Sequence, residues 1–240
     1  MRRGEYGFDA PYALLAFLGA GVGCVTLAGV AWEQGAPDAV APVSLYALFF
    51  LANAASFLYT TRRGKFEEWD RILDGLALAG TERVLDMGCG RGAVLTAVAR
   101  RLTTGRVTGI DIWNTSDQSG NAKDVTLRNA SREGVDDRVA IETGDMRALP
   151  FADASFDLIV SSLAIHNIRS NADRRQAIAE GYRVLTPGGR LVIADIRATA
   201  IYERELRQLG AAHVQRRRLG WRFWWGNPIA ATTLLTASKS

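Results

Sequence analysis

Hydrophobic and polar positions divide the chain into two unlike parts. From Ala10 to Trp32, and again from Ala39 to Thr61, no charged residue interrupts the sequence, and each stretch is 23 residues long. A helix needs about 20 apolar residues to cross the hydrocarbon core of a bilayer. Between the two stretches lies Glu33-Gln34-Gly35-Ala36-Pro37-Asp38, a turn with two acids and no base. Arg2 and Arg3 precede the first stretch, and Arg62, Arg63 and Lys65 follow the second. Basic flanks mark the cytoplasmic side, and Tyr12, Trp32 and Tyr59 fall near span ends, where interfacial aromatics sit. The pattern predicts a membrane hairpin over 1–61, with spans of about 10–32 and 39–61. Both termini and the remaining chain are then cytoplasmic. An export signal or a pair of soluble core helices would leave the same apolar runs. Small residues should let the two spans pack closely, with Gly19-x-x-x-Gly23 as one candidate contact. Asn53, the strongly polar side chain of the second span, is expected to bond to the neighbouring helix.

After Thr61 the periodicity changes. Phe66, Trp69, Ile72, Leu73 and Leu76 recur at helical spacing between acidic and basic residues, so 64–78 reads as an amphipathic helix packed on the edge of the downstream domain. Short apolar runs then alternate with helical patterns. Val84-Leu85-Asp86-Met87 stops at Gly88-Cys89-Gly90-Arg91-Gly92 and passes into a helical stretch, 93–102. Strands come next at 106–112, 138–143, 158–162 and 190–196, with helices at 172–185 and 198–209, and two last strands at 212–220 and 232–238. Strands alternating with helices make an α/β domain over 62–240 around a mostly parallel sheet.

Composition adds little and charge adds placement. The 240 residues are 48% hydrophobic, enough for a full core, and the formal charge is +4. Cys24 lies in an apolar run and Cys89 in the glycine loop, so no disulfide framework is indicated. Arginines and tryptophans concentrate in Arg216-Arg217-Arg218-Leu219-Gly220-Trp221-Arg222-Phe223-Trp224-Trp225. Such a segment suits a membrane interface with anionic lipid, the roof of a hydrophobic pocket, or an aromatic hairpin packed on its own sheet. Binding of nucleic acid is not expected.

The chemistry centres on the glycine loop. Glycines at a strand–helix turn let a ligand approach the backbone, and the free amides of the helix start favour an electronegative group. Gly88-x-Gly90-x-x-Ala93 also fits a loose dinucleotide template, but a carboxylate at Asp86 repels a pyrophosphate and suits a cationic ammonium. Asp86-x-Gly88-x-Gly90-x-Gly92 at the end of a first strand resembles the first motif of class I S-adenosylmethionine (SAM) methyltransferases. Leu149-Pro150-Phe151, Ser155-Phe156-Asp157 and Arg183-Val184-Leu185-x-Pro187-Gly188-Gly189-Arg190-Leu191 are further matches to the small-molecule members of that family. The resemblance covers about 66–240. It implies a Rossmann-like seven-stranded sheet with an antiparallel last strand. It also implies SAM as cofactor, with Asp86, Gly88, Gly90 and Gly92 around its methionine part, Asp111 with Ile112 and Trp113 at the ribose and adenine, and Asp145 with Met146 at the adenine. No metal is expected.

Departures from the family pattern bear on the acceptor. Trp113–Asn121 is a polar, turn-rich insertion after the second strand. Gln118 and Asn121 in it are candidates for cofactor or substrate contact, and a solvated loop is the alternative. Phe66 or Trp69 closing over the cofactor is a further possibility for the lead-in helix. After the fourth strand comes Leu163-Ala164-Ile165-His166-Asn167-Ile168, which lacks the Asn-Pro-Pro-Tyr-type signature of adenine or glutamine N-methylation. His166, with Asn167, is the candidate for chemistry: a histidine can accept a proton near neutral pH. A packed site histidine is the alternative. His213 is expected at the surface. The expected protein is a membrane-anchored methyltransferase acting on a small, lipophilic acceptor in contact with membrane lipid. A tethered SAM-binding protein without catalysis and an NAD(P)-dependent oxidoreductase are its rivals.

Overall fold

The computed structural model describes residues 2–115 and 118–240. Two long apolar helices come first, α1 (Pro11–Glu33) and α2 (Pro37–Tyr59), each opened by a proline at the position where a missing N–H costs nothing. They pack side by side as a hairpin. Gly21, rather than Gly19 or Gly23, sits at the contact: a Cβ there would lie 2.7 Å from Leu51, and the other two face open space. In α1 only Gly21 and Ala28 are buried, while Leu15, Val22, Val25, Leu27 and Trp32 are exposed. A core helix of a water-soluble domain buries its apolar stripe, and this hairpin does not.

One π-helical turn, Thr60–Gly64, joins α2 to the amphipathic α3 (Lys65–Gly75). The sheet comes after it: β1 (Arg83–Met87), α4 (Ala93–Ala99), β2 (Arg106–Asp111), α5 (Lys123–Glu133), β3 (Val139–Thr143), β4 (Phe156–Ser162), α6 (Asn171–Val184), β5 (Leu185–Asp195), α7 (Thr199–Gln208), β6 (Ala212–Arg218) and β7 (Thr233–Ser238). The strand order is β3-β2-β1-β4-β5-β7-β6, parallel except for β7, which runs antiparallel to both neighbours. This is the seven-stranded Rossmann-like sheet that the sequence pattern implies.

The central strands are apolar on both faces, as a helix-covered parallel sheet requires. Val84, Leu158, Val160 and Val192 join one core with α3 and α4, and Leu85, Ile159, Leu191 and Ile193 join a second with α6 and α7. Phe57 of α2, with Phe223 and Trp225, belongs to the first core, and Phe17 of α1 packs against it. The base of the hairpin is therefore continuous with the domain.

Asn53 departs from expectation. Its Nδ2 donates to Phe49 O in its own helix, and its Oδ1 accepts from Asn227 Nδ2 at 2.8 Å, so its long-range partner is the C-terminal loop and not α1. The aromatic segment divides. Phe223 and Trp225 are buried, with Trp225 edge-on to Phe57 at 5.0 Å, while Trp221 is half exposed and stacks on Tyr59 at 5.1 Å. His213 is exposed, as expected.

Residues 2–9, read from sequence only as a basic flank, fold back over the domain as a strap. The backbone amides of Arg3 and Gly4 donate to Glu133, that of Glu5 to Asn129 and that of Phe8 to Ser119. Tyr6 is buried, its hydroxyl bonded to Thr96 and Glu133. Asp9 pairs with Lys65, accepts from Thr61, and lies against Gln118.

Candidate active site

β1 ends where its carboxylate and glycines meet the crossover to β2 on one side and β4 on the other, the place where ligands bind in open parallel sheets. Gly88, Gly90 and Gly92 take φ values of +74°, +50° and +83°, which side chains other than glycine rarely adopt. A Cβ on Gly88 would also meet Ala164 at 2.2 Å, so β1 and the segment after β4 approach this closely only through glycine.

A cavity of about 800 Å³ opens above this turn, within the range of small-molecule sites. Of the residues expected at the cofactor, Asp86, Gly88, Gly90, Asp111, Ile112, Asp145 and Met146 line it, together with His166 and Asn167. Two expected members do not. Gly92 caps α4 and lies under Thr126, so its role is to turn the chain. Trp113 packs against the apolar core and its indole donates to Thr143 Oγ1 at 2.8 Å. That side chain does not line the cavity. From the insertion, Asn114, Gln118 and Asn121 line the cavity instead, and Gln118 Oε1 accepts from the Arg91 amide at 3.0 Å. Ser116 and Asp117 of the insertion lie outside the described residues. Phe66 and Trp69 of the lead-in helix both line the cavity, and Trp69 donates to Ser162 Oγ.

Asp86 is 1% exposed, and its Oδ2 has no hydrogen-bond partner among the described residues. Burial, reinforced by the nearby Asp111 carboxylate, pushes its pKa up to about 8. A buried acceptor aimed into a cavity is costly unless a ligand completes it, and a cationic ammonium would. Asp111 is more fully used. Gly90 N donates to its Oδ2 at 2.8 Å, and Trp113 N and Asn121 Nδ2 donate to Oδ1. Three of roughly four acceptor positions on the carboxylate are taken, leaving room for a hydroxyl. Asp145 is held otherwise than expected. Arg147 grips it through Nε and Nη2, which keeps its carboxyl below the usual range, and Arg147 also pairs with Asp173. An adenine amino group at Asp145 would share the carboxylate with this guanidinium.

His166 stands in a single 3₁₀ turn after β4, Ile165–Asn167, opposite the end of β5. Its Nδ1 lies 2.6 Å from Asp195 Oδ1, close but out of line for a hydrogen bond. Its backbone N–H donates to Asp195 Oδ2 at 3.0 Å. Asp195 is fully buried and also accepts from the Ile196 amide and the Tyr202 hydroxyl, whose own ionisation is pushed up by burial. Sequence reasoning does not single out this carboxylate. The available signal is an apolar strand, Leu191-Val192-Ile193-Ala194, stopping at an acid beside the crevice.

The hairpin and its companions also line the cavity. Ala10, Ala13 and Phe17 of the α1 end, Phe57 of α2 and Trp225 all line it, as do Arg2, Asp9 and Lys65.

The comparisons agree with this geometry. Residues 85–193 match the family described as "Methyltransferase domain". The chain is 38% identical over 128 residues to 27-O-demethylrifamycin SV methyltransferase of Amycolatopsis mediterranei, covering 52% of this chain and 43% of that protein. It is 34% identical over 126 residues to the ubiquinone/menaquinone biosynthesis C-methyltransferase UbiE of Dinoroseobacter shibae, covering 52% and 47%. The chain thus spans about half the length of the curated relatives it matches. In fold it is similar to geranyl diphosphate C-methyltransferase from Streptomyces coelicolor, solved with Mg²⁺, geranyl diphosphate and S-adenosyl-L-homocysteine, with a TM-score of 0.59 at 17% identity over 75% of this chain and 81% of that one. Residues 85–193 thus match a methyltransferase domain in sequence, and the sheet built around them has the seven-stranded Rossmann-like topology of the solved methyltransferase it resembles in fold.

Proposed function

We propose that this protein is a membrane-anchored SAM-dependent methyltransferase whose acceptor is a small lipophilic molecule. One observation carries the reading. A single cavity is lined both by Asp86, Gly88, Gly90 and Asp111 and by Ala13, Phe17 and Phe57 of two helices long and apolar enough to cross a membrane. Residues 1–61 then form the anchor and 62–240 the catalytic unit, on the cytoplasmic side where the basic flanks lie. That 27-O-demethylrifamycin SV and ubiquinone/menaquinone biosynthesis figure in the names of its relatives is in keeping with an apolar acceptor.

The cofactor supplies a methyl group activated on a sulfonium; the remaining work falls to the chain. Asp86 holds the ammonium end, the glycine turn admits the methionine part, and Asp111 receives a ribose hydroxyl. Met146 flanks the adenine. Trp69, Phe17 and Phe57 exclude water and align an apolar acceptor, and alignment with desolvation is the main demand of an in-line displacement. With Nδ1 against Asp195, Nε2 of His166 is the nitrogen left to take a proton from an acceptor that must lose one. Asn167 lies beside it as an orienting amide.

The test uses methyl-labelled SAM with the full chain in bilayers and a lipid and small-molecule extract of the host. Label in the organic phase is the expected result. Label only in aqueous products would reject the lipophilic acceptor. Bound SAM with no labelled product from any pool would favour a non-catalytic SAM-binding protein.

A further inference from the structure

The charges around the cavity are not evenly paired. Of the cations lining it, Arg2 is matched by Asp70, Lys65 by Asp9, and Arg147 by Asp145 and Asp173. Arg169 and Arg197 line it with no ion pair among the described residues. Arg169 comes just after the His166 turn, and Arg197 just after Asp195 at the end of β5. At the glycine turn the imbalance is reversed, since neither Asp86 nor Asp111 has a cationic partner among the described residues. The cavity therefore has carboxyl groups without a counter-charge where a cationic cofactor group fits, and unmatched positive charge beside His166 and Asp195.

A second recess, of about 370 Å³, adjoins this positive region. It is lined by Ile196, Arg197, Asn227, Ile229 and Ala230, and shares Ile196 and Arg197 with the main cavity. Its outer lip is fixed to the hairpin, because Asn227 donates to Asn53 of α2. Asn53 precedes the α2 end at Tyr59 by six residues, about 9 Å along a helix. On the membrane reading proposed above, which sets Arg62 and Arg63 at the headgroups, the lip falls near the boundary between headgroups and hydrocarbon. Ile229 on that lip is 91% exposed, an unfavourable position in water and a favourable one against acyl chains.

We infer that this recess is a lateral portal through which an amphiphile with an anionic headgroup enters from the bilayer, Arg197 with Arg169 holding the head and Ile196, Ile229 and Phe57 the chain. The inference rests on the reading that the cavity takes a lipophilic acceptor, and it narrows that acceptor to an acidic one. A guanidinium suits a phosphate or carboxylate head.

The experiment needs no methyl transfer. Full-length protein in phosphatidylcholine nanodiscs is photolabelled with dodecyl phosphate carrying a diazirine on the chain beside its headgroup, and in parallel with the matching neutral dodecanol probe. Labelled peptides are mapped by mass spectrometry, and SAM binding is measured on each sample as a check of folding. The expected result is labelling by the phosphate probe within 196–198 and 227–230. It should fall about tenfold in Arg197→Gln, the loss of one charge-assisted contact, while neutral-probe labelling there is weak and insensitive to that change. Ile229→Asp should reduce labelling of the portal by both probes. Equal labelling by the two probes, or labelling confined to the outer faces of α1 and α2, overturns the inference. So does full protection by an equal concentration of inorganic phosphate, which would make the site one for a free anion. Portal labelling in a protein that transfers no methyl group would sink the proposed activity and leave the portal standing.

Discussion

Asp86 links cofactor binding to protons. Burial raises its carboxyl from 3.8 to about 8. The unfolded chain gives up this proton near the ordinary value and the folded chain holds it, so the folded state binds more protons between these limits. Its stability in the absence of ligand then falls as pH rises through that window, by an amount on the order of 6 kcal/mol at about 1.4 kcal/mol per pKa unit. A cationic ligand reverses the cost by holding the carboxylate ionised. At pH 7 about one tenth of free protein carries Asp86 ionised, so binding should release about 0.9 proton. Affinity for SAM should rise about fifty-fold from pH 6 to pH 8 and level off above it. Titration calorimetry in buffers of differing ionisation enthalpy counts the protons. Asp86→Asn keeps the shape and should remove both the proton release and the pH dependence, weaken SAM binding, and raise the melting temperature of the ligand-free protein at pH 8. An affinity flat from pH 6 to 8 with no proton released would refute the reasoning.

The geometry sets four further expectations. His166→Ala should lower kcat by about 10²–10⁴ if the acceptor loses a proton, with SAM affinity unchanged by calorimetry; an unaltered kcat would reduce His166 to a packing residue. Asp195→Asn should lower kcat in the same direction and leave SAM binding intact, and the double variant with His166→Ala should cost little more than His166→Ala alone. Gly64→Ala would place a Cβ 1.8 Å from Arg222 O, so it should destabilise by about 1–3 kcal/mol, read as a lower melting temperature, with Trp221 fluorescence shifted as its stack on Tyr59 loosens. Asp9→Asn leaves Lys65, which is 5% exposed, without its counter-charge; breaking such a pair costs about 3–5 kcal/mol, and residues 2–9 should lose hydrogen-exchange protection first.

How much of the site is legible in the sequence depends on distance along the chain. The turn from Val84 to Gly92 is readable because strand, acid, glycines and helix are adjacent, and local chemistry dictates them. The two apolar helices are readable for the same reason, as are the seven strands and the antiparallel edge once the family resemblance is stated. Trp113 defeats a sequence reading because its direction depends on Thr143, thirty residues on. Asp145 looks free because its grip by Arg147 depends on a rotamer, and Asp195 passes unnoticed because its value lies in facing His166 across two strands. The bond from Asn53 to Asn227 spans 174 residues, and no pattern of spacing predicts it. The arginines of the portal look like ordinary surface charges until the cavity shows which cations already have partners.

The strap over the site has a consequence for the order in which the protein is made. Residues 2–9 leave the ribosome before their anchors at Asn129 and Glu133, which are 124 and 130 residues further along the chain. By the time α5 exists to receive them, α1 and α2 have long been synthesised and are available for insertion. For the proposed membrane anchor this puts hairpin insertion before closure, and the strap docks as one of the last long-range events, when loop closure over so many residues is repaid by contacts already formed. A nascent chain arrested before Asn129 should have an inserted hairpin and a protease-sensitive leading segment, and one arrested well beyond Glu133 should protect it.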